Sequence, residues 1–231
     1  MGNITFKQYR NIDLFILSIL LVISEGLTTL ATTRWFVGVP FAISTTLLLI
    51  CITMMRWGAF AAIPAVVGGL VFTVASGGEL RHYLIYGVGN LFCLLSLILI
   101  RAFGKEKIRA RIPLLLLFTA VTYLSVALGR WLVSLTFEPG FGSLLVYITT
   151  DVVTLIFTSV IVILMRKVDG MLEDQRAYLI RRAEEEAAEM RPTDGDDLSA
   201  LTADPDYLED VFETDYDDDA PPVCKDDYTD D

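Results

Sequence analysis

The stretch Leu47–Leu70, "LLLICITMMRWGAFAAIPAVVGGL", is apolar on both sides of one short interruption, Met55-Arg56-Trp57-Gly58. A helix needs about 20 apolar residues to cross ~30 Å of hydrocarbon. The stretch extends at both ends, and it divides into a short span, Pro40–Met55, and a second, Trp57–Ser76. "MRWG" reads as a tight hairpin with Arg56 at its tip. Four further runs of the required length are Ile12–Thr32, Leu80–Ile100, Ile112–Thr136 and Ser143–Met165. Lipid offers no partners to open backbone, so such runs form helices. The ~10-residue alternating segments of a membrane barrel are absent. The expected fold is all-α: a polytopic six-helix membrane bundle over residues 12–167, preceded by an N-terminus, residues 1–11.

The chain of 231 residues is 54% hydrophobic with a mean hydropathy of +0.55, yet carries a net charge of -11. Charge and apolarity occupy different regions. Of the 29 acidic and 18 basic residues, sixteen and one fall in Pro192–Asp231, which leaves 13 and 17 for residues 1–191. The body is mildly basic and the tail strongly acidic. Basic residues set membrane orientation. Lys7, Arg10, Arg56, Arg101, Lys105, Lys107, Arg109, Arg111, Arg166 and Lys167 all fall on one side of a six-span chain. Arg34, Arg81 and Arg130 fall on the other, partly balanced by Glu79 and Glu138. Both termini are therefore expected in the cytoplasm, with the protein in the cell membrane. Residues 168–191 read as a cytoplasmic helical extension supported by pairs such as Arg181–Glu185. Residues 192–231 have too few apolar groups for a core and read as a disordered acidic tail. The first run is too long for a signal-peptide h-region and is expected to be retained.

Polar residues inside the spans gather at one level. At 1.5 Å per residue, Glu25 lies about 20 Å above Ile12, Arg130 about 27 Å above Ile112, and Asp151 about 12 Å below Ser143. His82, Tyr86 and Asn90 share a face of span four, and Tyr147, Asp151 and Thr154 a face of span six. All lie in the outer half, whereas the cytoplasmic half is nearly pure Leu, Ile and Val. Buried charge is costly unless paired or wet. The level therefore reads as an outward-opening polar pocket, with Arg34 and Trp35 at its rim and Glu25 a lesser contributor. Plainer readings stay open beside it. Arg130 and Trp35 suit interfacial anchoring, Arg130 with Asp151 a structural ion pair, and Tyr86 with Asn90 an interhelix bond. In span three, Gly58, Ala61, Ala65 and Gly69 form a small-residue stripe. Such a stripe admits a close helix, from the same bundle or from a partner.

Catalytic patterns are lacking. His82 is the only histidine; Cys51, Cys93 and Cys224 have no ligand spacing, and no metal site or cofactor is expected. No phosphate-cradling glycine loop or HExxH occurs, and nothing suggests nucleic-acid binding. "GFGS" at Gly140–Ser143 is a faint nucleophile signal, so an intramembrane enzyme ranks last. A non-catalytic scaffold acting through its acidic tail is the alternative reading.

The chain from about Ile12 to Lys167 resembles the substrate-binding S component of energy-coupling factor transporters. "MRWGAFAAIPAVVGGLVF" looks like the basic hairpin and Gly/Ala-rich third helix of that family, and "ELRHYLIYGVGNLF" is similar to its fourth helix. The resemblance implies a six-helix protein that captures a vitamin-like nutrient from outside. It also implies a transmembrane T subunit and two cytoplasmic ATPases as partners in the lipid bilayer. By the resemblance, the ligand would meet Arg34, Trp35, His82, Tyr86, Asn90, Arg130, Tyr147 and Asp151. The first span departs from the family in lacking an Ala-xxx-Ala stripe, and the acidic tail is not typical of it.

Overall fold

The computed structural model describes residues 6–35, 43–137 and 142–189, with backbone only for 142–143 and 186–189. It is helical, with no strand among the described residues. The elements are α1 (Phe6–Trp35), α2 (Thr46–Trp57), α3 (Ala62–Ser76), α4 (Leu80–Gly89), α5 (Leu97–Phe103), α6 (Lys105–Ala110), α7 (Ile112–Ser134), α8 (Gly142–Thr150), α9 (Val152–Met165) and α10 (Gln175–Glu189). Tight 3₁₀ turns, Gly58–Ala61 and Asn90–Ser96, link α2 to α3 and α4 to α5.

The centre of the bundle is α2. All twelve of its residues are buried, as expected of a helix apolar on every side. Around it pack α1, α3, α7 and α9. The outer faces of these helices are apolar: Phe15, Ile16, Ile23 and Leu27 of α1 and Ile156 and Leu164 of α9 are each more than half exposed. Polar groups such as Glu25, Asn90, Thr119 and Thr122 are buried instead. Apolar outside and polar inside suits a multi-pass membrane protein.

Four continuous helical stretches are long and apolar enough to cross a bilayer: Phe6–Trp35, Thr46–Ser76, Leu80–Phe103 and Ile112–Ser134. A fifth is the pair Leu144–Thr150 and Val152–Met165, bent by 46°. Thr46–Ser76 is not straight. A Cβ on Gly68 would lie 2.3 Å from Thr46 Oγ1, although 22 residues along one helix span about 33 Å. The chain reverses at Gly58, whose φ of 60° is open to glycine at little cost. The expected hairpin at "MRWG" is thus present, and α2 and α3 run antiparallel.

The helix boundaries differ from the sequence expectation in four places. The second apolar run becomes helical only at Thr46, with Ile43–Thr45 non-helical and residues 40–42 outside the described residues. A carboxylate from α1 caps it there, as set out below. The fourth run tightens into the 3₁₀ turn at Asn90–Ser96, and the sixth is broken at Asp151. The C-terminal extension is helical from Gln175 rather than Val168. Gly170, at φ 74°, turns the chain back so that Leu172 is fully buried. Gly170 O accepts from both Arg56 Nη1 (2.8 Å) and Gln175 Nε2 (2.7 Å). The acidic tail lies outside the described residues.

One close crossing sets the geometry of the polar end. A Cβ on Gly129 of α7 would sit 2.2 Å from Gly89 O, and one on Gly89 would sit 2.7 Å from Arg130 Cα. The two backbones meet only because both residues are glycine. Each precedes a buried polar side chain, Asn90 and Arg130, so the crossing brings those two together. Gly129→Ala is expected to cost about 1–3 kcal/mol by overpacking. Gly26→Ala, whose nearest non-neighbour is Val71 at 4.0 Å, should be neutral. Thermal unfolding of the two variants in detergent checks this difference.

Candidate functional site: a closed polar cluster

The N-terminus of α2 is inside the bundle, where its first N–H groups have no water to bond. Ser44 Oγ accepts from Thr46 N at 3.2 Å, and the stronger acceptor comes from another helix. Glu25 of α1 is fully buried, and its Oε2 accepts from Thr45 N (2.7 Å), Thr46 N (3.0 Å), Ser44 Oγ (3.0 Å) and Thr45 Oγ1 (3.0 Å). Ser24 Oγ, one residue earlier, lies 2.9 Å from Thr45 Oγ1. Ser44 N donates to Thr154 Oγ1 of α9 at 3.0 Å. Three helices are thereby joined at one point. A negative group at a helix N-terminus also meets the favourable end of its dipole. Among the described residues the bonding partners of Glu25 are amides and hydroxyls.

Beside this cap is the second half of the cluster. Arg130 of α7 is 9% exposed. Its Nη1 is paired with Asp151 Oδ2, and its Nε donates to Asn90 Oδ1 at 2.8 Å. Asn90 Nδ2 donates in turn to Ala65 O of α3 at 3.0 Å. The guanidinium carbon stands 4.9 Å from the centroid of the Tyr86 ring, within cation–π range. Tyr147 meets Tyr86 edge-on at 6.5 Å. Asp151 sits at the α8–α9 break, where its backbone O accepts from Leu155 N.

The structure therefore brings together Tyr86, Asn90, Arg130, Tyr147, Asp151 and Glu25 of the residues expected at this level. His82 lies at the rim. Its ring is 6.4 Å from Tyr86, but its Nδ1 accepts from Glu79 N (3.0 Å), closing a capping box at the start of α4. Arg34 and Trp35 stand apart at the end of α1, with Trp35 81% exposed. The Gly140 and Phe141 end of "GFGS" is outside the described residues, as is the Ser143 side chain.

The small-residue stripe is taken up within the bundle. Ala61, Ala65 and Gly69 are buried, and a Cβ on Gly69 would lie 2.3 Å from Tyr86 O of α4. Gly58 is the turn residue. Ala61, Ala65 and Gly69 thus pack within the chain, whereas a Cβ on Gly58 would meet nothing within 4 Å.

Beside the cluster, where an outward-opening pocket is expected, two voids of about 10 Å³ flank Arg130 and Asp151. Each has room for the centre of about one water. The inner half is also less purely aliphatic than expected. Thr119, Thr122 and Ser96 are buried there, but each hydroxyl bonds to a carbonyl of its own helix, at 3.0, 2.8 and 2.6 Å. Their polarity is spent locally.

At the opposite end Asp13 is a residue the sequence reading missed. Its carboxylate accepts from Arg56 Nε (3.0 Å), Arg56 Nη2 (2.7 Å) and Trp57 Nε1 (2.5 Å). Arg56, at the hairpin, is 8% exposed. The only signal was an acidic residue at the start of an apolar run, opposite a basic hairpin. A cavity of about 560 Å³ lies beyond it, between α6 and α10. Among its charges, Lys105 pairs with Asp174, and Arg109 and Arg181 pair with Glu173.

No family model, curated protein or solved structure matches this chain.

Arg130 and Asp151 form a largely buried pair, so removing one partner strands the other. Arg130→Ala is expected to destabilise by about 3–5 kcal/mol, and adding Asp151→Ala should recover a substantial part. A double-mutant cycle of detergent unfolding measures the coupling.

Proposed function

We propose that the chain is the substrate-capturing membrane subunit of an ATP-driven uptake transporter for a small polar nutrient. In this reading it crosses the cell membrane six times, counting α2 and α3 as separate passes and α8–α9 as one. Both termini are cytoplasmic, on the side where Lys105, Arg109, Arg166 and Lys167 gather.

One observation carries the reading. Residues from α1, α4, α7, α8 and the α8–α9 break converge at a single buried depth: Glu25, Tyr86, Arg130, Tyr147 and Asp151, with Asn90 beside them. A bundle held together only by packing has no need of so much buried polarity at one level. The cluster offers a guanidinium, two carboxylates, an amide and two phenols, which together suit a zwitterionic or aromatic solute. It is closed, so binding requires α8 to move. That helix meets α9 at the 46° bend at Asp151, its Leu145 and Val146 are mostly exposed, and moving it breaks the bond from the Tyr123 phenol to Ile148 O. A displacement of α8 parts Asp151 from Arg130 and frees both for ligand.

In this reading the protein captures its solute and does not conduct it. Release then depends on partners: by the resemblance, a transmembrane T subunit and two ATPases. Native mass spectrometry of the detergent-purified protein tests this. One small molecule per chain is expected, lost on Asp151→Asn. Protein that is always ligand-free and never copurifies with an ATPase contradicts the reading.

A further inference from the structure

Glu25 has two carboxylate oxygens, and only one of them caps α2. Oε1 is buried without a hydrogen-bond partner, on a side chain that is 0% exposed. Thr46 Oγ1 is buried and unpartnered as well, on a residue 3% exposed. Both residues line the same void of about 10 Å³, together with Ser44, Asn90, Arg130 and Asp151. Two bare oxygens at one water-sized space are uncommon, because buried polar atoms are nearly always paired.

Charge points the same way. The ionisable groups lining the void are Glu25, Asp151, Arg130 and the Tyr86 phenol. Arg130 is matched by Asp151. Glu25 is left as one uncompensated carboxylate in an apolar surround, where unpaired charge is expensive. Four donors already converge on Oε2 and none on Oε1. The Thr46 hydroxyl, which accepts as well as donates, belongs to a residue lining the same void, so one small cation there takes an oxygen from each and also offsets the charge, which a water does not. No group of three or more His, Cys, Asp or Glu that could hold a metal ion occurs among the described residues. The charge deficit is single, and the oxygen donors are hard ones.

We propose that Glu25 Oε1 and Thr46 Oγ1 form a site for one small monovalent cationic centre, with Ser44 and Asp151 completing its oxygen lining. The same chemistry is met by an inorganic ion of sodium size or by the ammonium head of a small amine. The site locks the start of α2 to α1 and α9. It does not rest on the carrier reading, since it would brace the bundle in a protein of any function.

The test is thermal unfolding of the full-length protein in detergent, at constant ionic strength made up with choline chloride, whose cation exceeds the void. Sodium and ammonium are titrated separately. One of them should raise the melting temperature saturably, by about 5–10 °C at a hundredfold excess over its midpoint. A sodium response assigns the site to the inorganic ion, and an ammonium response alone assigns it to an amine head. Glu25→Gln keeps a carbonyl oxygen for the cap but loses the charge, and should abolish the shift. Should that variant fail to fold, Thr46→Val should raise the midpoint at least tenfold. No saturable shift with either ion, or an undiminished shift in Glu25→Gln, overturns the proposal. Ligand retention in mass spectrometry is a separate readout, so the failure of one inference is not mistaken for failure of the other.

Discussion

The bundle depends on a helix that begins where no water reaches. Thr46, the first residue of α2, is buried, and so is every residue after it to Trp57. A buried helix start leaves amides whose desolvation costs more than most single packing contacts return. Glu25 resolves this from a different helix, by giving Oε2 to two of those amides and two neighbouring hydroxyls. At the other end, Asp13 holds Arg56 and Trp57. Asp13 and Glu25 are twelve residues apart on α1, and α2 is twelve residues long, so both distances are about 18 Å. The two acidic residues of α1 thus clamp the central helix at its two ends.

With α2 fixed, the polar cluster follows from close approach. Gly68 lets α3 lie on the start of α2, Gly69 lets α4 lie on α3, and Gly89 with Gly129 lets α7 cross α4. Each contact brings a polar side chain inward: Asn90 to Ala65 O and Arg130 to Asn90. The α8–α9 break then delivers Asp151. That segment is tied to α7 as well, by the Tyr123 phenol donating to Ile148 O of α8.

Much of this was legible in sequence, for identifiable reasons. Runs of Leu, Ile and Val without charge dictate helices in an apolar medium, and "MRWG" marks the reversal between two of them. The depth of Arg130 and Asp151 follows from helical rise alone, and their pairing follows from the cost of burying either singly. The role of Glu25 was not legible. "STTLLL" at Ser44–Leu49 carries the residues of a helix start, but the apolar count absorbed it into a longer span. Its acceptor is a tertiary partner about twenty residues earlier, and no local pattern reports that. Gly170 likewise hides its turn within a segment of good helix formers. The small residues of α3 announced close packing without saying against which helix. His82 shared a face with the cluster yet bonds its own helix start, because a capping interaction three residues away wins over a longer reach.

The central claim is that Glu25 of α1 caps α2, and backbone amide hydrogen exchange in detergent tests it directly. Thr45 and Thr46 are predicted to exchange as slowly as the interior of α2 in the native protein, and to lose that protection in Glu25→Ala. Rapid exchange at Thr45 and Thr46 in the native protein, with Leu49–Met54 protected, would contradict it.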